Sequence, residues 1–167
     1  MENKQAVCEL LNKLEIPYIR VDHETANTIE DCKKIEQDLG CEICKNLFLC
    51  NRQQTDFYLL LMKGEKRFVT KDFSKTIGVS RLSFCSVENL YKYLNVTPGS
   101  ASVLGLMFDQ DKKVKLYIDK EVAQQEYIGV HPCDNTSTLK IRTKDILEKF
   151  LPYMNVTANI VEIIESE

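Results

Sequence analysis

The sequence predicts an α+β fold in which helices flank a single mixed, strongly curved, barrel-like β-sheet. Helical patterns cluster near the two ends of the chain, and the strand patterns between them are joined by short turns. Both glycine-rich fingerprints of nucleotide-binding βαβ units, G-x-G-x-x-G and G-x-x-x-x-G-K-[ST], are absent from the sequence, which argues against a doubly wound sheet. A length of 167 residues suits one domain with a sizeable core, so we expect 1–167 to form a single domain.

The first three predicted elements are a helix, a strand and a second helix. Apolar residues recur at helical spacing over 2–14, which predicts a helix. Residues 16–21 alternate between apolar and polar, with Pro17 near the start, and predict a strand. A helix is predicted over 27–40, because Asn-Thr is a favourable N-cap before acidic residues and Gly40 is a favourable C-terminal stop.

Strands and short helices follow. Apolar runs joined by a polar turn predict strands at about 42–50 and 56–63, and helical spacing predicts short helices at 71–78 and 86–95. A loop of small residues then leads into a predicted strand that ends near Phe108. The remaining predicted elements are a strand at 114–118, a helical turn at 119–124, strands at about 125–131 and 137–142, a helix at 143–153 and a last strand at 158–163.

Composition and charge narrow the class of protein. The 44 % hydrophobic and 28 % charged residues are ordinary for a globular protein. The longest apolar candidate, 57–62, is far shorter than the roughly 20 residues of a membrane span, and the N-terminus lacks signal-peptide features. We therefore expect a cytoplasmic protein that binds no membrane. The net charge of −3 argues against DNA binding by bulk electrostatics, although 63–81, with six basic and two acidic residues, carries a local net charge of +4.

The seven cysteines form an odd set without a compact disulfide framework, which indicates reduced thiols in a reducing compartment. Cys41-x-x-Cys44 is the candidate metal or redox motif. A structural zinc site needs a second such pair, and a thioredoxin-like motif would open a helix, whereas this one opens a predicted strand. We therefore expect no metal and no other cofactor.

Lys45 stands out because it interrupts the apolar run 42–50. A lysine in a buried strand is costly unless its ammonium reaches water or an anion. One explanation is a site for an anionic ligand, and the alternative is an edge-strand lysine that discourages aggregation.

A second polar cluster lies in the turn between the strands predicted at 125–131 and 137–142. Gly129 allows close backbone approach, while His131, Asn135 and neighbouring hydroxyls offer hydrogen-bond donors and acceptors. With Lys45, this cluster suggests a pocket for a polar, anionic ligand. The chain has no G-x-S-x-G elbow and supports no Ser-His-Asp arrangement.

These residues together resemble the YbaK/ProX family of prolyl-tRNA editing domains, most closely its free-standing alanyl-tRNA(Pro) deacylase branch. The matching segments are 44–49 for the family's lysine strand, 97–100 for its substrate loop, and 129–132 with 135–136 for the second pocket wall. Their order and spacing carry the resemblance, which extends over about 5–155.

The resemblance implies a trans-editing hydrolase that removes a wrong amino acid, alanine above all, from the 3′ end of tRNA(Pro). In that role, Lys45 would supply a cation near the terminal adenosine, and His131 and Asn135 would shape the pocket, with His131 positioning the substrate rather than acting as a general base. In the substrate loop, which extends here over 97–102, the carbonyl or amino-acid end would be held by the backbone N–H groups of Gly99, Ser100, Ala101 and Ser102.

The implied partners are the acceptor end of tRNA(Pro) and, as a further partner, prolyl-tRNA synthetase. The basic segment suggests Lys66, Arg67 and Lys71 as contacts of acceptor-stem phosphates. Three alternatives remain open: a non-catalytic module that binds the tRNA acceptor end, a deacylase for another small amino acid such as cysteine, and a purely structural interaction protein.

One position departs from the family pattern. The family's substrate loop commonly reads G-x-x-x-P, whereas here Gly99 is followed four residues later by Val103. Valine does not fix φ as proline does, and it adds a backbone N–H that needs a partner. We expect a looser loop that also admits serine or 2-aminobutyrate esters beside alanine.

Overall fold

The computed structural model describes residues 2–26 and 28–165, in which helices are interspersed with single strands and with two pairs of consecutive strands. The α-helices are α1 (Asn3–Lys13), α2 (Ile29–Leu39), α3 (Thr70–Ile77), α4 (Val87–Asn89), α5 (Lys120–Ala123), α6 (Thr143–Asp145) and α7 (Leu151–Met154). A π-helical segment, Leu90–Leu94, continues α4, another, Ile146–Phe150, joins α6 to α7, and a 3₁₀ helix spans Val103–Phe108. The strands are β1 (Tyr18–Asp22), β2 (Lys45–Cys50), β3 (Phe57–Met62), β4 (Ser83–Phe84), β5 (Val114–Asp119), β6 (Tyr127–Val130), β7 (Ser137–Arg142) and β8 (Ala158–Val161).

The strands form two sheets, which confirms the α+β class. The larger sheet has the order β4-β2-β3-β5-β8, in which β2 pairs antiparallel with β3 and β4, whereas β5 pairs parallel with β3 and β8. The smaller sheet is antiparallel, with the order β1-β7-β6. One isolated parallel bridge, between Ile43 and Gly129, links the start of β2 to β6. The single barrel-like sheet of the prediction is not confirmed.

Strand β3 lies at the centre of the larger sheet and is buried along its whole length. Its residues alternate between two clusters: Phe57, Leu59 and Leu61 face the main core, and the intervening residues face a smaller cluster that includes Phe73 of α3. A strand covered on both faces needs a continuous apolar run, which explains the sequence of β3.

The second helix confirms the predicted capping, with the boundaries shifted by a residue or two. Thr28 caps α2: its hydroxyl accepts a hydrogen bond from the Asp31 N–H, and the Asp31 carboxylate accepts one from the Thr28 N–H. The helix ends at Gly40, whose φ of 79° is left-handed. The predicted start at Asn27 lies outside the described residues.

The prediction of a strand that ends near Phe108 is wrong, because Val103–Phe108 forms the 3₁₀ helix. The Ser102 hydroxyl accepts the Leu104 N–H at 3.1 Å and caps the helix at its first turn. Gly105 lies against Leu94, where a β-carbon would come within 3.3 Å of the leucine side chain. An apolar run buried on all sides has no period of two or of 3.6, so its pattern does not separate strand from helix.

Within the described residues, no helix combines the length and apolar character needed to cross a membrane.

Candidate active site

The largest feature around Lys45 is a cleft of about 750 Å³ between α2 and the start of β2. Residues of α2 such as Ile29, Cys32 and Glu36 form one wall, and Ile43 with Lys45 forms the other. The small sheet lies beside the cleft, because α2 packs against β1 and β7. The cleft therefore lies where the two sheets meet.

Two glycines allow the chain to approach the cleft closely. A β-carbon on Gly129 would lie 2.9 Å from the Glu42 carbonyl oxygen, and one on Gly64 would lie 2.3 Å from the Ile43 carbonyl oxygen. The backbones of β6 and β2 are joined here by hydrogen bonds of 2.9 Å from the Gly129 N–H to Glu42 and from the Cys44 N–H to Gly129. The space that a side chain of Gly129 would take is therefore filled by the backbone before β2.

Lys45 is half-buried at the first position of β2, and its ammonium donates a hydrogen bond to the backbone carbonyl of Lys66. An ammonium has three donors, so this contact leaves two for a ligand. The parallel bridge pairs Ile43 with Gly129. Lys45 lies two residues after Ile43, and His131 lies two residues after Gly129. Since side chains two residues apart on a strand share a face, Lys45 and His131 lie on the same side of the junction.

His131 is held by its ring nitrogen. Nδ1 lies 2.8 Å from the Ser137 carbonyl oxygen, which can only accept, so Nδ1 carries the hydrogen and Nε2 remains an acceptor. Burial lowers the pKa of His131 below its usual value, and the nearby His23, whose ring centroid is 6.2 Å away, adds to this effect. The imidazole is thus neutral at pH 7.

The substrate loop begins with a type II turn at Thr97-Pro98-Gly99-Ser100. The Ser100 N–H donates to the Thr97 carbonyl at 3.0 Å, and Gly99 has the φ of 87° that this turn requires at its third position. A β-carbon on Gly99 would lie 3.5 Å from Asn135 Nδ2, so the loop and the His131 turn meet at this point.

The loop presents backbone donors. Over the described part of the chain, no acceptor is found for the N–H groups of Gly99, Ala101 and Ser102. Gly99 is exposed and Ala101 half-buried, whereas Ser100 and Ser102 are buried. The Ser102 hydroxyl already caps the 3₁₀ helix, so the chemistry that this loop can offer is hydrogen bonding from its backbone.

Val103 follows these donors and is fully buried, and its N–H donates to Asn46 Oδ1 at 2.8 Å. The N–H that Val103 carries, where the family commonly has proline, therefore has a hydrogen-bond acceptor. Asn46 was not among the predicted site residues, although it follows Lys45 directly in the sequence.

Asn3 in α1 is a second asparagine whose structural role was not predicted from the sequence. Its Nδ2 donates to the Asn95 carbonyl at 2.6 Å and to the Cys133 carbonyl at 3.2 Å, and Asn95 Nδ2 returns a bond to Asn3 Oδ1 at 2.7 Å. Asn3 thereby joins the segment before the substrate loop to the turn that carries Asn135. Nothing in the local sequence of α1 signals this contact.

Asn135 stands at the edge of the cleft. Its Oδ1 lies 3.4 Å from the Thr25 hydroxyl, next to Ala26, which lines the cleft. Asn135 and Gly99 thus lie near Thr25, which precedes the cleft residue Ala26, whereas Lys45 lies in the wall of the cleft itself. Among the hydrogen bonds of the described residues, none joins Lys45 directly to the substrate loop.

Lys66 does not face solvent as predicted for an RNA contact. Its ammonium lies 3.0 Å from Asp119 Oδ2, 3.1 Å from Glu121 Oε2 and 2.7 Å from the Ile163 carbonyl oxygen. Burial alone would lower the pKa of Lys66, but the hydrogen bonds to Asp119 and Glu121 raise it above its usual value. The ammonium is committed to these partners, which removes Lys66 from the candidate RNA contacts.

Arg67 and Lys71, by contrast, are exposed and stay candidates.

The cysteines near the cleft are free thiols. Burial raises the pKa of Cys41 to about 11 and that of Cys44 to about 12, so both are protonated at neutral pH. Across the described residues, no three histidine, cysteine, aspartate or glutamate side chains are grouped as a metal site.

Comparison with known proteins defines the class. The model of the aminoacyl-tRNA editing domain family matches residues 23–149, so the chain belongs to this family. Among relatives, it is 33 % identical over 163 residues to the prolyl-tRNA editing protein ProX of Acetoanaerobium sticklandii, covering 98 % of this chain and 99 % of the relative. It is also 26 % identical over 141 residues to the prolyl-tRNA synthetase associated domain-containing protein 1 of Danio rerio, covering 83 % and 76 %. The predicted YbaK/ProX membership is confirmed.

Solved structures support the fold. A crystal structure described as a candidate trans-editing enzyme for prolyl tRNA synthetase superposes with a TM-score of 0.72 at 14 % identity, covering 98 % of this chain and 99 % of that one. A hypothetical protein, APE2540, superposes with a TM-score of 0.67 at 12 % identity, covering 96 % and 99 %.

The first prediction concerns Lys66. Its side chain is 12 % exposed and that of Asp119 is 0 % exposed, so Lys66→Ala would leave a buried carboxylate without its cation. We expect a loss of about 3–5 kcal/mol in the free energy of unfolding, measured by urea denaturation. The exposed neighbour provides the control: Arg67→Ala should change stability by no more than about 0.5 kcal/mol. Equal effects of the two variants would contradict a structural role for Lys66.

The second prediction concerns pH. The unfolded chain protonates His131 near pH 6.5, whereas the folded chain resists protonation until a lower pH. Below pH 6.5 the unfolded state therefore binds more protons, and the free energy of unfolding should fall as pH decreases through this window. His131→Gln should reduce that slope in denaturation curves measured between pH 7.5 and 5. His23→Gln should retain most of it, since burial is the main cause of the shift, and identical slopes for wild type and His131→Gln would refute the assignment.

Proposed function

We propose that this aminoacyl-tRNA editing hydrolase removes alanine from mischarged tRNA(Pro) in trans to prolyl-tRNA synthetase. Family membership and the similarity to a prolyl-tRNA editing protein over almost the whole chain support the reaction class and the prolyl-tRNA substrate. The observation that carries the mechanism is the pair of backbone N–H groups at Gly99 and Ala101, residues that are not buried and for whose N–H groups the described residues provide no acceptor.

These donors suit the chemistry of ester hydrolysis. An aminoacyl ester is already activated, so a positioned water and stabilisation of the developing oxyanion suffice. Water adds to the ester carbonyl carbon and loses one proton, which is the proton that the ribose oxygen later takes up. The carbonyl oxygen becomes negative, and the N–H groups of the loop stabilise it. The bond to the ribose oxygen then breaks, and that oxygen takes up a proton, releasing free alanine and tRNA.

Lys45 binds and orients the terminal adenosine. Two of its three ammonium donors are available beside the Lys66 carbonyl, and it lies in the wall of a cleft large enough for a nucleoside. The cation attracts the terminal phosphate or the ribose hydroxyls and so holds the ester against the loop. The ribose 2′-hydroxyl, which only RNA offers, can help to transfer the proton.

His131 and Asn135 shape the pocket. The neutral imidazole, with Nδ1 bound to Ser137, is fixed in orientation and presents Nε2 as an acceptor. Asn135 lies against Gly99, so a larger side chain on a substrate bound at the loop would have to displace it. A methylene is worth only about 1–3 kcal/mol in a binding pocket, so the synthetase cannot strongly reject a smaller amino acid such as alanine. A second site that admits alanine and excludes proline by size corrects these errors.

Outside the cleft, exposed Arg67 and Lys71 are the proposed contacts of acceptor-stem phosphates. Lys66, whose ammonium is bound inside the protein, is not part of this surface.

The substrate panel tests the function. Ala-tRNA(Pro), Pro-tRNA(Pro), Ser-tRNA(Pro) and Cys-tRNA(Pro) are incubated with the protein, and loss of each ester is followed over time. Preferential loss of alanine is expected. Preferential loss of cysteine would reassign the amino acid, while loss of no ester would indicate a non-catalytic tRNA-binding module.

The role of Lys45 is tested by Lys45→Ala. Because the ammonium holds the terminal adenosine, we expect kcat/KM for Ala-tRNA(Pro) to fall by at least about a hundredfold, with the thermal transition retained. Lys115→Ala, which removes an exposed strand lysine of β5, is the matched control and should leave hydrolysis unchanged. Wild-type rates in Lys45→Ala would remove Lys45 from the mechanism.

A further inference from the structure

We propose that Asn46 is the positioning residue of the substrate loop and a determinant of its amino-acid specificity, acting through the backbone N–H of Val103. This inference rests on the proposed function, since the loop is the one assigned to the ester. It also explains how a chain with Val103 in place of the family's proline can restrain the end of the loop.

Asn46 is well placed to act as a fixed anchor. It is the second residue of β2, paired across the sheet with Leu61 of fully buried β3. Its Oδ1 accepts the Val103 N–H at 2.8 Å, and its Nδ2 makes a long contact of 3.5 Å to the Cys44 carbonyl. The side chain is half-buried, so water competes weakly for the acceptor.

The hydrogen bond exists because residue 103 is not proline. Val103 is 0 % exposed, so its N–H is closed off from water and depends on Asn46 for a partner. A proline at this position would fix φ and remove the donor. In this chain, the asparagine amide restrains the end of the loop in place of the proline ring. The Val103 N–H thus has the protein partner that it was predicted to need, and the wider substrate range expected of the loop stays a prediction.

The anchor lies next to the proposed oxyanion donors. The type II turn restrains the loop before Ser100, and the Val103 bond restrains it directly after Ser102. Between these two points lie the unpaired N–H groups of Ala101 and Ser102. Asn46 and Lys45 are neighbours on one strand, so their side chains lie on opposite faces of β2, and that of Asn46 lies on the side of the main core, which includes Val103.

The backbone permits a direct test of this idea. Ser102 has φ −158° and ψ 148°, an extended conformation that a residue before proline readily adopts. Val103 is the first residue of the 3₁₀ helix, where proline is tolerated. Val103→Pro thus removes the donor without opposing the local conformation.

The kinetic experiment compares Asn46→Ala, Val103→Pro and the double variant on Ala- and Ser-tRNA(Pro). Asn46→Ala should lower kcat/KM for alanine by about tenfold, mainly in kcat, and narrow the preference for alanine over serine. Asn46→Asp keeps an acceptor at Oδ1 and should restore most of the alanine rate. In the Val103→Pro background, Asn46→Ala should have no further effect, because the bond is already absent. A full additional loss in the double variant, or wild-type kinetics in Asn46→Ala, would overturn the proposal.

A measurement independent of catalysis separates this inference from the proposed function. Amide hydrogen exchange should show a slow Val103 N–H in the wild type, and faster exchange at Val103 and in the adjoining loop in Asn46→Ala with the global unfolding transition retained. Unchanged protection at Val103 would overturn the anchor whatever the activity. Wild-type protein that hydrolyses no ester would overturn the deacylase and, with it, the role of Asn46 in specificity, while Val103 exchange would still decide whether the anchor exists.

Discussion

The parallel bridge between Ile43 and Gly129 is the contact on which the candidate site depends. It is the point at which the two sheets meet, and the absence of a side chain at Gly129 makes the approach possible. A β-carbon there would collide with the Glu42 carbonyl and press on the Leu39 side chain. Lys45 and His131 follow on the two bridged strands, so one backbone contact brings the proposed binding cation and the second pocket wall to the same side of the molecule.

Three asparagine side chains from separate parts of the chain then arrange the loops around this junction. Asn3 ties the segment before the substrate loop to the Cys133 carbonyl, and Asn46 holds the far end of that loop at Val103. Asn135 lies against Gly99. An amide side chain can donate and accept at once, which suits it to join backbone segments whose own donors and acceptors have no strand partner. The loop is thereby restrained, while the N–H groups of Gly99 and Ala101 have no acceptor among the described residues.

Most helices and strands were predictable because their signals are local. Helix α2 is defined by the N-cap at Thr28 and the C-terminal glycine at Gly40, which lie at its own two ends. Strand β3 is defined by its own apolar run, which is buried on both faces. The 3₁₀ helix at Val103–Phe108 was predicted as a strand, since an apolar run buried on every side carries no period. Lys66 was predicted as an RNA contact from its basic neighbours, yet its partners Asp119 and Ile163 lie 53 and 97 residues away along the chain.

The sequence by itself determined the α+β class and the family, because these depend on local residue patterns and on the order of short motifs. Only the tertiary structure decided that the strands divide into two sheets, that Lys66 is an internal ion-pair residue, and that Asn46 holds Val103. The hydrogen bond between Asn46 and Val103 joins residues 57 positions apart in the sequence, and the one between Asn3 and Asn95 joins residues 92 positions apart. Bonds between a side chain and a distant backbone depend on how the sheets pack together, and they leave no periodic trace in the sequence.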